Sequence, residues 1–145
     1  MMPIRLLIVL ACIGSTSAEL VHVTDLGMRI APGFEITHYA DSVIAPDVYS
    51  MTLDPSGSVV ISSRGYIKRL TDEDGDGSAE TEAMVIESRT GAMGMLFLDE
   101  RTLLTTEGGH FNRYNDENGD GKFNPEPISI GKFGGGEHGI HAIRK

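Results

Sequence analysis

Apolar residues in this chain come in short runs bounded by turn-forming residues. Met51-Thr-Leu and Val59-Val-Ile flank Asp54-Pro-Ser-Gly57. Pro at the second position and Gly at the fourth suit a type I hairpin connection. Further on, Met93-Gly-Met-Leu-Phe-Leu98 and Thr102-Leu-Leu-Thr-Thr106 flank Asp99-Glu-Arg101 in the same way. The stretch from Ser58 to Leu70 is rich in β-branched residues and is interrupted by Gly65, which predicts strands rather than a helix. Met51, Met93 and Met95 read as core strand positions. Nearer the N-terminus, Met28-Arg-Ile-Ala-Pro-Gly-Phe-Glu-Ile-Thr-His-Tyr-Ala40 predicts a Pro-Gly turn and then an alternating strand with Phe34 and Ile36 on one face. Asp41-Ser-Val-Ile-Ala-Pro-Asp47 reads as a loop in which Pro46 holds Ala45 extended.

Sliding the sequence by 44 residues superposes much of this pattern on itself. Val59-Val-Ile-Ser falls on Leu103-Leu-Thr-Thr, Gly65 on Gly109, and Ile67-Lys-Arg-Leu on Phe111-Asn-Arg-Tyr. The repeating unit is short strand, turn, strand, acidic loop, strand. A period in the forties is the length of one four-stranded propeller blade. Gly136-Glu-His-Gly-Ile-His-Ala-Ile143 matches Gly91-Ala-Met-Gly-Met-Leu-Phe-Leu98 as the start of a third unit. The expected fold is therefore all-β, an incomplete β-propeller of about two blades plus the start of a third. Residues 1–18 form a leader, 19–50 a lead-in with a ring-closing strand, and 51–145 the first blades. Two blades and a stub leave strand faces and edges uncovered, so a truncated product is expected. The alternative is a small independent β-sandwich formed by residues 19–145.

The acidic loop brings in chemistry. Its two copies are Thr71-Asp-Glu-Asp-Gly-Asp-Gly-Ser-Ala-Glu80 and Asn115-Asp-Glu-Asn-Gly-Asp-Gly-Lys-Phe-Asn124. Oxygen side chains at alternate positions, with Gly at the sixth for a sharp turn, can wrap a hard divalent cation such as calcium. The first copy offers Asp72, Asp74, Asp76, the Ser78 carbonyl and Glu80. The second offers Asp116, Asn118, Asp120, the Lys122 carbonyl and Asn124. The bland reading of either copy is a solvated acidic turn. Position twelve, where an EF-hand places a bidentate Glu, holds Ala83 and Pro127, so helix-loop-helix EF-hands are not expected. Glu82 and Glu126, at position eleven, are candidate substitutes.

The ends of the chain and its charge limit the setting. Met1-Met-Pro-Ile-Arg5, the apolar Leu6–Gly14 and the small Ser15-Thr-Ser-Ala18 make a secretory signal peptide, with cleavage expected after Ala18. The apolar run is far shorter than the ~18 residues of a membrane span. Export implies a periplasmic or extracellular product. Val9-Leu-Ala-Cys12 resembles a lipoprotein box, which would instead leave a lipidated Cys12. Cys12 is the only cysteine, so the mature domain would have neither disulfides nor a c-type haem site. A formal charge of -9 argues against a nucleic-acid partner. His22, His38 and His110 lack metal spacing, and Ser62-Ser63 lacks a nucleophile elbow.

Pro32-Gly-Phe-Glu-Ile, Leu53-Asp-Pro-Ser-Gly, Leu70-Thr-Asp-Glu-Asp-Gly-Asp-Gly and Gly135-Gly-Glu-His-Gly-Ile-His-Ala-Ile together resemble one known family. It is the membrane-bound dehydrogenase-like propellers of planctomycetes and verrucomicrobia, similar in turn to soluble glucose and sorbosone dehydrogenases. The resemblance covers residues 28–145 but only the opening blades of the family's domain. It implies a propeller whose characterised relatives bind pyrroloquinoline quinone and calcium and oxidise sugars or related alcohols. It also implies that His138 stands where a histidine takes the hydroxyl proton during hydride transfer; an imidazole near neutrality suits that task. His141 is the weaker candidate. This chain alone is expected to be inactive. The alternative is a non-catalytic calcium-binding propeller module for carbohydrate or protein recognition at the cell surface.

Overall fold

The computed structural model describes residues 19–134 and Ile143. The regular structure of these residues is almost all β, in three sheets without a closed barrel. One compact unit runs to Ile36 and the other begins at Thr37. In the first unit β1 (Val21–Val23) pairs with β2 (Met28–Ile30) in an antiparallel hairpin through a short 3₁₀ turn, Thr24–Leu26. The Pro32-Gly33 turn forms as expected, with the Phe34 N–H donating to the Ala31 carbonyl at 3.2 Å. The strand expected over Phe34–Ala40 does not form. Alternation alone cannot make a strand where no neighbouring strand takes up its backbone groups.

The second unit carries two four-stranded antiparallel sheets in plain sequential order. The first comprises β3 (Ser50–Leu53), β4 (Val59–Ser63), β5 (Tyr66–Thr71) and β6 (Thr81–Ile86). The second comprises β7 (Ala92–Asp99), β8 (Thr102–Glu107), β9 (His110–Asn115) and β10 (Ile128–Lys132). β5 and β9 stand 44 residues apart at both ends, so the repeat read from the sequence is a repeat of structure. The β3–β4 turn closes where Asp54-Pro-Ser-Gly57 predicts it, the Gly57 N–H donating to the Asp54 carbonyl at 2.9 Å. Gly65 and Gly109 open tight hairpins between the second and third strands of each sheet. The long β-branched run is thus two strands rather than one.

The sheets share one core. Val60, Ile67, Val85 and Ile86 of the first sheet cluster with Ala92, Met95, Phe97, Leu103 and Tyr114 of the second. Phe123, leaving the second acidic loop, joins them and meets Phe97 edge-on at 6.0 Å between ring centroids. β3 and β7 lie side by side at this seam. The Ser62 hydroxyl accepts from the Ala92 N–H at 2.7 Å, and the Ser50 hydroxyl donates to the Ala92 carbonyl at 2.7 Å. Gly91 permits the approach: its φ is +75°, and a methyl group there would stand 2.7 Å from the Ser63 carbonyl carbon. On the far face of the first sheet Ile61, Tyr66, Leu70 and Ala79 are covered by Tyr39, Ala40, Ile44 and Ala45.

Two methionines depart from expectation. Met95 is buried, but Met51 is 64% exposed and Met93 is also exposed. Met51 pairs with Ile61 and so points to the face opposite the shared core, and Met93 sits in the bulge between Ala92 and Gly94.

Candidate metal centre

The two acidic loops join the third and fourth strands of their sheets, and the bonds by which their first, third and fifth residues accept from following N–H groups repeat from one to the other. Asp72 Oδ1 accepts from the Gly75 N–H at 2.7 Å and Asp116 Oδ1 from the Gly119 N–H at 2.6 Å. The partner oxygens accept from Gly77 and Gly121, both at 2.9 Å. Asp74 and Asn118 each accept from the N–H two residues on at 3.2 Å, and Asp76 and Asp120 do the same at 2.8 Å. Backbone bonds Glu80 to Thr71 and Asn124 to Asn115 close the two loops. Short Asp and Asn side chains can fold back on the following N–H groups, and glycines at positive φ allow each reversal.

Each loop is also fastened to the element before its sheet. The Ala79 N–H donates to the Tyr39 carbonyl at 2.7 Å, and the equivalent Phe123 N–H donates to the Val85 carbonyl on β6 at 3.1 Å. The Thr37 hydroxyl adds a bond to the Gly77 carbonyl at 3.2 Å. The segment around Tyr39 therefore stands to the first sheet as β6 stands to the second.

The first loop gathers carboxylates. Oxygens of Asp72, Asp74, Asp76 and Glu80 all lie within 4.8 Å of one another, and the group is largely exposed. Four hard oxygen donors with this charge match calcium or a similar divalent cation, and an ion relieves their mutual repulsion. Ser78 stands at position seven, two residues after Asp76, to which its N–H donates. Glu82 is not part of this group: it lies on β6 in an ion pair with Lys68 at 2.6 Å. The second loop places only two carboxylates, Asp116 and Asp120, at ligand positions, alongside Asn118, Asn124 and the Lys122 backbone. Glu126 lies instead along a groove with Glu87, Ser88 and Arg89.

The surroundings of the loops show in their electrostatics. Burial raises the Tyr39 hydroxyl above its ordinary range, and the charges of Asp72 and Glu80 raise it further. The Asp116 carboxyl is held below the usual carboxylate range. Burial acts upward there, but donation from Gly121, Gly119 and Asp120 and the nearby Arg101 charge more than offset it. The groove beside Glu126 also reaches Glu107, a buried carboxylate. Glu107 accepts from the Ser88 hydroxyl at 2.5 Å, the Thr105 hydroxyl at 3.0 Å, Asn112 at 3.4 Å and the Tyr114 hydroxyl. So fully supplied with donors, it ties β8 and β9 to the β6–β7 connection.

His138 and His141, and the proposed leader with Cys12, lie outside the described residues. Among the described residues no histidine joins a metal-ligating group, and no helix is long and apolar enough to cross a membrane. Thr37, Tyr39 and Arg101 are the neighbours that reading the sequence missed. The first two meet their loop from about forty positions away, a pairing that no local pattern encodes.

No family model and no curated protein matches the chain. Two solved structures of a Trichoderma reesei member of carbohydrate-active enzymes family AA12 resemble it, one an iodide structure and the other a calcium structure. Each matches 79% of this chain at 19% identity with a TM-score of 0.58. The chain spans 28% and 27% of their lengths, little more than a quarter, and at this identity the likeness is one of fold.

Proposed function

We propose that this chain forms the opening blades of an exported, calcium-stabilised β-propeller of the dehydrogenase-like kind, with calcium held by the first acidic loop. The observation that carries the calcium reading is the convergence of Asp72, Asp74, Asp76 and Glu80 within 4.8 Å. Two sequential four-stranded meanders packed face to face, together with the fold likeness to a family AA12 enzyme, support the propeller. The sequence resemblance to sugar-oxidising quinone enzymes supports the class of activity for a complete parent protein. In that reading the ion is structural. It neutralises the loop that joins β5 to β6 and leaves that loop docked on the Tyr39 segment.

The residues described fit a divalent cation but not the quinone. Pyrroloquinoline quinone is a tricarboxylate and calls for cationic side chains, which the group Asp72, Asp74, Asp76 and Glu80 does not supply. Sugar oxidation and proton transfer at His138 therefore belong to the parent protein, and the purified 145-residue chain is expected to reduce no dye when given quinone, calcium and glucose. Dye reduction under those conditions would contradict this assignment.

Terbium luminescence tests the metal directly, because the chain has no tryptophan and Tyr39 lies beside the loop. Excitation of tyrosine is expected to give terbium emission that calcium displaces. Emission should vanish in Asp74→Asn/Asp76→Asn and fall steeply in Tyr39→Phe. Absence of emission, with no heat of binding at millimolar calcium, would remove the calcium reading.

A further inference from the structure

The two loops share one backbone yet meet opposite electrostatic surroundings. The first carries five carboxylates between Thr71 and Glu80 and no basic residue. Gly75 at its fourth position faces open space, and Gly77 meets only the Thr37 side chain. The second carries three carboxylates and Lys122. Over its fourth position lies the guanidinium of Arg101: a methyl group on Gly119 would stand 2.4 Å from Nη2 and 3.0 Å from Cζ. Arg101 is anchored there by its backbone. Its carbonyl accepts from the Asp116 N–H at 2.9 Å, and its N–H donates to Asp99 Oδ1 at 2.8 Å. A second guanidinium, Arg69 from the first sheet, has Nη1 3.4 Å from where a methyl on Gly121 would sit, while its Nε donates to Asp54 at 2.7 Å. Forty-four residues before Arg101 stands Gly57, so the first loop has no guanidinium from the equivalent position.

We propose that the second loop takes no metal ion and that the Arg101 guanidinium supplies its positive charge, so that the chain binds one divalent cation rather than two. The proposal rests on the calcium reading of the first loop and refines its stoichiometry. Affinity in such loops rises with the number of ligand carboxylates, and the second has two where the first has four. The Arg101 charge, which already acts on Asp116, opposes a dication further. The arrangement divides the labour. The seam between the two sheets, where Phe123 is inserted, is neutralised by the chain itself at any calcium concentration. Only the junction of the first loop with the Tyr39 segment depends on the ion.

Calorimetric titration of the whole chain with calcium is expected to show one ion, lost in Asp74→Asn/Asp76→Asn, and two ions in Arg101→Gln. Two ions in the wild type would overturn the proposal. No ion in the wild type would instead remove the calcium reading of the first loop, and the second loop is then judged by melting in the Asp74→Asn/Asp76→Asn background. There Arg101→Gln is expected to lower the metal-free melting temperature by about 4 °C or more. Calcium at about 10 mM should restore it, and Arg101→Lys should retain it without calcium. An unchanged melting temperature, or a loss that calcium does not repair, would also overturn the proposal. If Arg101→Gln does not fold, Arg101→Lys decides the matter: stability below the wild type that calcium does not raise counts against it.

Discussion

Asp54 shows how a turn residue becomes a structural one. Its buried carboxylate accepts from the Ser56 and Ser58 N–H groups at 2.9 and 3.0 Å, the Ser56 hydroxyl at 2.6 Å and Arg69 Nε at 2.7 Å. Burial acts to raise its pKa, but these donors and the Arg69 charge outweigh that and hold it below the ordinary carboxylate range. A carboxyl whose folded pKa is depressed stabilises the fold above its unfolded value, and that stability is lost as pH falls through the folded value. In metal-free buffer the wild type should therefore lose melting temperature on acidification more steeply than Asp54→Asn. The substitution itself should cost about 1–3 kcal/mol at neutral pH, since Arg69 loses its charged partner. Parallel acid profiles of the two proteins would contradict this. The turn was legible from Asp-Pro-Ser-Gly, because those residues act locally. The Arg69 partner was not, because β5 reaches it only once the sheet has formed.

Strands and loops were legible where their signals were local and repeated. β4, β5, β8 and β9 fall where β-branched runs and glycine turns place them. The β1–β2 hairpin went unseen because three-residue strands carry too little pattern. The strand expected over Phe34–Ala40 failed for the converse reason: alternation was present but a pairing partner was not. The acidic loops tie sheet to neighbour, which their repetition suggested but could not locate. Phe123 is the clearest test of that tie, since its ring lies 5% exposed between the sheets and its N–H bonds to Val85. Phe123→Ala should cost about 3–5 kcal/mol by chemical denaturation, as deletion of a buried aromatic does. A loss below about 1 kcal/mol would mean that the loop exit does not join the two sheets.

For the molecule as a whole, calcium should act on one side of the first sheet. Saturation at about a hundredfold over the dissociation constant adds about 2.7 kcal/mol of stability. Hydrogen exchange should show the gain as slower exchange at Ala79 and in the neighbouring Tyr39 segment, with little change at Phe123. Equal protection at both loops would point to two occupied sites. The all-β class, the 44-residue unit and the ligand-type spacing of both loops were determined by the sequence alone, because turn chemistry and strand propensity act over a few residues and the repeat states them twice. Tertiary structure decided what each loop gathers around it. Asp72, Asp74, Asp76 and Glu80 converge, while Arg101 comes to rest over Gly119. The reason is that charge acts through space, so the balance at each loop is set by residues that packing brings beside it as well as by those within it.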